Sequence, residues 1–258
     1  MADSLPQYDN PPVIETVLGL EFRPIPKWGI PYFGLFWEKI NKNYPQYSIQ
    51  QPLPDESFGS GFVLSFNQAP MVRCWFHDDN DQWLLQVQNS RVISNWRKRN
   101  NSDYPSYKLF RDRFVENFEL FNDFVNEKEF SEPHFFQAEV SYINRIEAET
   151  DLSQLPELFP VFAGFPAEGF LPVPQSGGFN FVYSMPDERG RLFIKIDRML
   201  DLETNKEFLQ FTVTAKTLIA SNTKEAAFEA LDFSHEWVVR GFTDFTSAKM
   251  HEDWERKS

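Results

Sequence analysis

Apolar residues recur at every second position in the first patterned segment and at every third or fourth in the next, and the two periods trade places along the whole chain. In VIETVLGLEF, Ile14, Thr16, Leu18, Leu20 and Phe22 fall on one side and Val13, Glu15, Val17 and Glu21 on the other, which predicts a half-buried strand. RPIPKWGIP interrupts the pattern. In YFGLFWEKINKNYP, Phe33, Phe36, Trp37, Ile40 and Tyr44 stand at helical spacing, Pro45 stops the helix, and the stretch on to Glu56 reads as loop. GFVLSF, VRCWFH and WLLQVQNSRVISNWRK follow as strand candidates, the last as one long or bent strand. Within YKLFRDRFVENFELFNDFVNE, Phe110, Phe114, Phe118, Phe121 and Val125 step by helical intervals along a single stripe, the strongest helix signal in the chain.

The order then recurs. FFQAEVSYINRIE alternates, with Phe136, Ala138, Val140, Tyr142 and Ile146 on one face. LSQLPELF is a short helix, and a Pro- and Gly-rich excursion leads to three strands, FNFVYSM, LFIKIDRML and EFLQFTVTAKTL, joined by PDERG and DLETNK. The last helix is read over TKEAAFEALDFSHEWVVRGFTDFTSAKM, with Asn222 and Glu225 as its capping pair and Phe228, Leu231, His235, Val238, Phe242 and Phe245 as its stripe.

Behind a polar, Pro-punctuated segment 1–12, both halves (13–130 and 131–258) therefore read strand, helix, three strands, long helix, with negligible identity between them. This predicts an α+β fold of two pseudo-repeated halves, a curved antiparallel sheet with helices on one face that can run on as one continuous sheet. The order resembles the TATA-binding-protein-like pseudo-repeat in topology. A helix-grip fold, a curved sheet wrapped round a long C-terminal helix and enclosing a cavity, uses the same elements and stays open as the alternative.

Composition narrows the function classes. No apolar run of the 258 residues reaches the length of a membrane span, and the N-terminus lacks the basic and apolar regions of a signal peptide, so a cytoplasmic protein with no membrane partner is expected. A single cysteine, Cys74, excludes a disulfide framework and a cysteine zinc site. Phe is in excess, at 28 residues, which suits either an aromatic core or an apolar ligand cavity. Residues 1–130 hold 17 acidic and 13 basic side chains (net −4), and residues 131–258 hold 21 and 12 (net −9). A nucleic-acid grip needs a basic surface, so nucleic acid is an unlikely partner by net charge. Arg91, Arg97, Lys98 and Arg99, with Arg111 and Arg113, form a local positive exception.

Motifs for chemistry are absent: no nucleophile elbow, no phosphate-binding glycine loop and no paired histidines. Ser60 lies in FGSGF without the elbow spacing. Asp78, Asp79, Asn80 and Asp81 do not continue as a calcium loop and read as a hairpin turn. His235 reads as a hydrogen-bonded core histidine and Cys74 as a small buried hydrophobe. No catalytic residue, metal ligand or cofactor is assigned. The candidate binding residues are Arg73, Gln86, Gln88, Arg91, Asn95 and Arg97, whose amides and guanidinium forks read peptide backbone, carboxylate or base edges directionally. In a single strand Gln86 and Gln88 have one parity and Arg91, Asn95 and Arg97 the other, so a bulge is needed to bring them to one surface. The competing account is a structural amide network packed on Trp96.

Several phrases together resemble a sporadically distributed family of uncharacterised prokaryotic proteins. They are P-P-V-x-E at Pro11–Glu15, R-x-W-F at Arg73–Phe76, Q-V-Q at Gln86–Gln88, R-x-x-x-N-W-R at Arg91–Arg97, Y-P-x-Y at Tyr104–Tyr107, H-E at His235 with Phe242, and H-x-x-W at His251–Trp254. The resemblance covers the whole chain. It implies a cytoplasmic prokaryotic protein and fits defence- or toxin–antitoxin-associated genes, and it brings no catalytic residues. The expected function is a non-enzymatic macromolecule-interaction protein whose partner is another protein. A binder of a small apolar ligand in an aromatic-lined cavity is the alternative. An enzyme assembled from residues distant in sequence, such as His77 with a carboxylate, is the third.

Overall fold

A computed structural model describes residues 4–53, 72–100, 102–147, 152–164 and 177–257. The protein is α+β, with antiparallel sheet from nine strands and five α-helices among these residues. It divides into two compact units, one of residues 18–136 and one of residues 1–17 and 137–258.

In the 18–136 unit the elements are β1 (Val13–Phe22, its second half), α1 (Ile30–Ile40), β2 (Gln46–Gln50), β3 (Arg73–His77), β4 (Trp83–Gln88), β5 (Arg91–Arg97) and α2 (Tyr107–Glu127). The strand order is β2-β3-β4-β5-β1, and the pairs from β2 to β5 are antiparallel. Ser106 caps α2 by accepting from Leu109 N, and Glu129, in the left-handed region at φ 53°, turns the chain out of it. The α2 stripe is fully buried at Phe110, Phe114, Phe118, Phe121 and Val125, each Phe worth about 1.5–3 kcal/mol of transfer free energy. It lies on one face of the sheet: Phe121 is 5.6 Å from Phe22, and Phe36 of α1 is 5.9 Å from Phe76. Strand parity therefore sends Arg73, Trp75 and His77 to the face opposite α1 and α2.

Two expectations are corrected here. Residues 46–50, read as loop, form β2; QYSIQ does alternate, but Tyr47 and Ile49 are the exposed set, so no apolar face marks the strand. WLLQVQNSRVISNWRK is a hairpin and not one long strand. Gln88 pairs directly with Arg91, leaving Asn89 and Ser90 as a two-residue turn. Backbone bonds from Phe22 N to Ser90 O (2.9 Å) and from Ile25 N to Asn89 O (2.9 Å) pin that turn. The strand read over GFVLSF, and Ser60 before it, lie outside the described residues.

The other unit holds β6 (Phe135–Ile146, from Gln137), α3 (Leu155–Leu158), β7 (Gly178–Ser184), β8 (Gly190–Asp201), β9 (Lys206–Leu218), α4 (Lys224–Phe245) and α5 (Ala248–Asp253). Its strand order is β6-β9-β8-β7, all antiparallel. The α4 helix covers one sheet face, where Phe242 and Phe245 each lie 5.7 Å from Phe211. Gly241 allows this approach, since a Cβ there would stand 2.5 Å from Leu192 Cδ2. The last helix is two helices: Thr246 is extended, and Ser247 caps α5 by accepting from Met250 N. The N-cap of α4 is Thr223, accepting from Ala226 N at 3.2 Å, in place of the expected Asn222 and Glu225 pair. Residues 7–10 are docked here: the Tyr8 hydroxyl is 2.9 Å from Thr243 Oγ1, and Lys257 N donates to Gln7 O.

Candidate functional site

The two-residue turn after Gln88 reverses the chain, so β4 and β5 present Gln86, Gln88, Arg91, Asn95 and Arg97 on one face with no bulge. Register adds Arg73 and Trp75 from β3, because Trp75 pairs with Gln86. All six candidate residues thus share the face of the 18–136 sheet opposite α1 and α2. Gln86, Gln88, Arg91 and Asn95 are buried, at 4–6% exposure, whereas Arg73 and Arg97 are half-buried.

They form distinct knots. Gln86 Nε2 donates to Asn95 Oδ1 at 2.7 Å, and Gln86 Oε1 accepts from Arg73 Nη1 at 3.1 Å. Gln88 clamps the backbone of Leu53, accepting from its N–H at 2.9 Å and donating to its carbonyl at 3.2 Å, as a neighbouring strand would. Arg91 Nη2 lies 3.1 Å from Glu21 Oε2, both side chains within about 5% of full burial. Glu21 is an acid the sequence reading left on a solvated face; its buried partner explains it. Trp96 faces the other way, toward Tyr104, so the amide network does not pack on it.

The rim of this face is charged and open. Asp81 sits in the β3–β4 turn with φ 51° and receives Arg97 Nη1 at 3.0 Å and Arg99 Nη2 at 2.6 Å. Asp78 Oδ1 closes the turn by accepting from Gln82 N and Trp83 N, so the Asp-rich run is a hairpin turn, as its residues suggest. His77 Nδ1 lies 2.7 Å from Asp81 Oδ1, and His77 Nε2 lies 3.2 Å from Ser48 Oγ of β2. Burial works to raise the Asp81 pKa, but hydrogen bonds from Arg99 and His77 and the charges of Arg97 and Arg99 outweigh it and hold the carboxylate below its usual range. Arg97 and Arg73 stack on Trp75 at 4.8 and 5.3 Å, and Arg113 on Trp83 at 4.3 Å. The positive patch of the sequence is accordingly distributed among separate partners.

One spot is electrostatically incomplete. Arg73 Nε and Trp75 Nε1 are buried donors with no acceptor among the described residues. Burial and then the Arg91 charge pull the Arg73 guanidinium below its usual pKa, and its one hydrogen-bond partner, Gln86, is neutral. Sequence reasoning found Arg73 but missed Trp75, Ser48 and Asp81. The parity of VRCWFH put Trp75 beside Arg73; no local signal marked Ser48.

Elsewhere, Cys74 is buried and its thiol is pushed up to about 11 by that burial. His235 is half-buried at the margin of the α4 stripe, with its ring 6.0 Å from Tyr142. Among the described residues no group of three or more His, Cys, Asp or Glu side chains could hold a metal ion, and no helix is long and apolar enough to cross a membrane. Comparison with protein-family models, with curated proteins and with solved structures finds no match to the chain.

Proposed function

We propose that the protein acts by recognition, and that the face of the 18–136 sheet opposite α1 and α2 takes up an anionic, acceptor-rich segment of a partner protein. The observation that carries this reading is the pair of unsatisfied donors, Arg73 Nε and Trp75 Nε1. Buried donors are almost always paired, because each one left unmade costs about 1–3 kcal/mol. Here they adjoin two guanidiniums, Arg73 and Arg91, whose charges oppose each other. An acceptor-rich segment with a carboxylate at Arg73 supplies the missing acceptors and offsets the guanidinium's charge; Arg suits a carboxylate through its planar fork. The buried Gln86–Asn95 and Gln88–Leu53 bonds then hold the reading groups in place.

The test is co-purification from the native host with wild-type and Arg73→Gln protein, partners identified by mass spectrometry. A partner carrying an acidic segment, bound by wild type and lost in the variant at unchanged melting temperature, is expected; equal retention by both removes Arg73 from recognition. Identification of that partner also decides the expected defence or toxin–antitoxin association.

We also infer that the two units share one element order apart from β2, a strand of the 18–136 unit with no counterpart among the described residues of the other. In one, β3, β4 and β5 run consecutively and β1 follows β5; in the other, β7, β8 and β9 run consecutively and β6 follows β9. That supports the TATA-binding-protein-like reading of topology, and an experimental structure with a different order in either unit would overturn it. A second functional reading, a small apolar ligand, is favoured by a cleft of about 570 Å³ between α4 and β7–β8, lined by Tyr183, Leu192, Ile194, Trp237 and Phe245.

A further inference from the structure

Ser48, His77 and Asp81 belong to three different segments, the edge strand β2, strand β3 and the turn that follows it. Register sets Ser48 opposite Trp75 and Gln46 opposite His77, so serine and histidine meet on a diagonal between neighbouring strands. The two contacts use the two different ring nitrogens: Nδ1 to Asp81 Oδ1 at 2.7 Å, Nε2 to Ser48 Oγ at 3.2 Å. A carboxylate on Nδ1 fixes the proton there and leaves the Nε2 lone pair facing the hydroxyl, the tautomer a general base requires. We propose that this is a nucleophilic centre in which Ser48 is acylated by activated acyl compounds, aryl esters and thioesters, with His77 as base and Asp81 as its positioning residue.

Three features favour chemistry over a passive hydrogen-bond chain. Ser48 is half-buried and Asp81 is 43% exposed, so the group lies at the open rim and not in the buried amide network. Asp81 takes the left-handed conformation that aspartate tolerates in a turn, and Arg97 and Arg99 fix its carboxylate. Gln50 Nε2 donates to Ser48 Oγ at 3.3 Å, which occupies an acceptor lone pair of the hydroxyl and leaves its proton for His77 Nε2. The substrate class is confined to acyl groups with good leaving groups, which need the least oxyanion stabilisation.

In the first step Ser48 Oγ bonds to the acyl carbon and its proton passes to His77 Nε2. The bond from that carbon to the leaving oxygen or sulfur breaks, and the leaving group takes the proton from His77. In the second step water attacks the serine ester, gives a proton to His77 Nε2, and the carbon–Oγ bond breaks. Ser48 recovers the proton and a carboxylic acid departs, so one water is consumed per turnover. This activity stands independently of partner recognition at Arg73.

The experiment treats the full chain with a fluorophosphonate and locates the adduct by mass spectrometry, alongside p-nitrophenyl acetate turnover. The expected result is a Ser48 adduct that is absent in Ser48→Ala and forms roughly 100-fold more slowly in His77→Ala. Asp81→Asn should lower kcat with KM unchanged, a split that loss of a merely structural turn does not produce. Circular dichroism confirms that each variant is folded; Ser48→Ala, on a half-exposed edge strand, keeps the test informative if a turn variant unfolds. No adduct at Ser48, an adduct whose rate ignores His77, or equal ester turnover by wild type and Ser48→Ala would each overturn the proposal.

Discussion

Replacing Gln86 by alanine tests whether the polar face, proposed above as a reading surface, is a structural network. The side chain is 6% exposed and makes two side-chain hydrogen bonds, one to Asn95 and one from Arg73. The neutral amide pair contributes about 1 kcal/mol net, and the charge-assisted bond about 1.5 kcal/mol, the low end of its range because Arg73 is half-buried. The one buried methylene removed, Cγ, adds about 0.8 kcal/mol, while the side-chain entropy no longer frozen returns about 1.5 kcal/mol. The balance is a loss of about 2 kcal/mol. Urea unfolding followed by tryptophan fluorescence measures it, and the midpoint should fall while the slope stays constant. Gln46→Ala, on an exposed position of the same face, is the control and should change stability by less than about 0.5 kcal/mol. If Gln86→Ala matches that control, water reaches the amide freely and the burial argument for the whole cluster fails.

Three other outcomes follow from single groups. Burial pulls the His235 pKa down to about 4, against the charge of Asp232, which raises it. Below pH 6.5 the unfolded chain therefore binds a proton the folded chain refuses, so stability falls as pH drops from about 6.5 to 4 and levels off below. Half-burial screens the effect to about 1–2 kcal/mol, and His235→Phe should remove that part of the pH slope; an unchanged slope refutes the assignment. With its thiol near 11, Cys74 is ionised to about one part in a thousand at pH 8, and a thiol reagent should modify it only after unfolding. A Cβ on Gly190 would stand 2.2 Å from the Lys216 carbonyl oxygen and 2.9 Å from Met185 Sδ. Backbone cannot yield as a side chain can, so Gly190→Ala should cost about 3 kcal/mol, and a melting temperature within a degree of wild type would contradict the close approach.

Period and phase in the sequence specify which side chains share a strand face, but not where the strand reverses. For β3 and for β7 to β9 the strands were legible because Gly, Asp and Asn cluster at their turns, as in DDND, PDERG and DLETNK. Asn89 and Ser90 carry the same turn chemistry between Gln88 and Arg91, yet the flanking residues read as unbroken strand, so the reversal was hidden. The cost of missing it was specific: Gln88 and Arg91 have opposite parities in one strand and the same face in a hairpin. A two-residue turn shifts phase by one step and reverses direction, so it merges the two polar sets that a straight strand keeps apart.

Separation along the chain explains the rest. His77 and Asp81 are four residues apart and meet through a local turn, and a histidine with a nearby carboxylate was foreseeable from that spacing. Ser48 is 29 residues from His77, and Glu21 is 70 from Arg91; these meetings depend on which strands become neighbours. Glu21 shows the physical reason most plainly. Read alone, it is the polar member of an alternating strand and belongs in water; with β5 beside β1, it becomes the counter-charge that lets Arg91 be buried. Arg73, on the same face, has only a neutral amide for a partner among the described residues. The contrast between these two guanidiniums, one paired with a carboxylate and one with an amide, is why the proposed recognition of a partner's carboxylate is placed at Arg73.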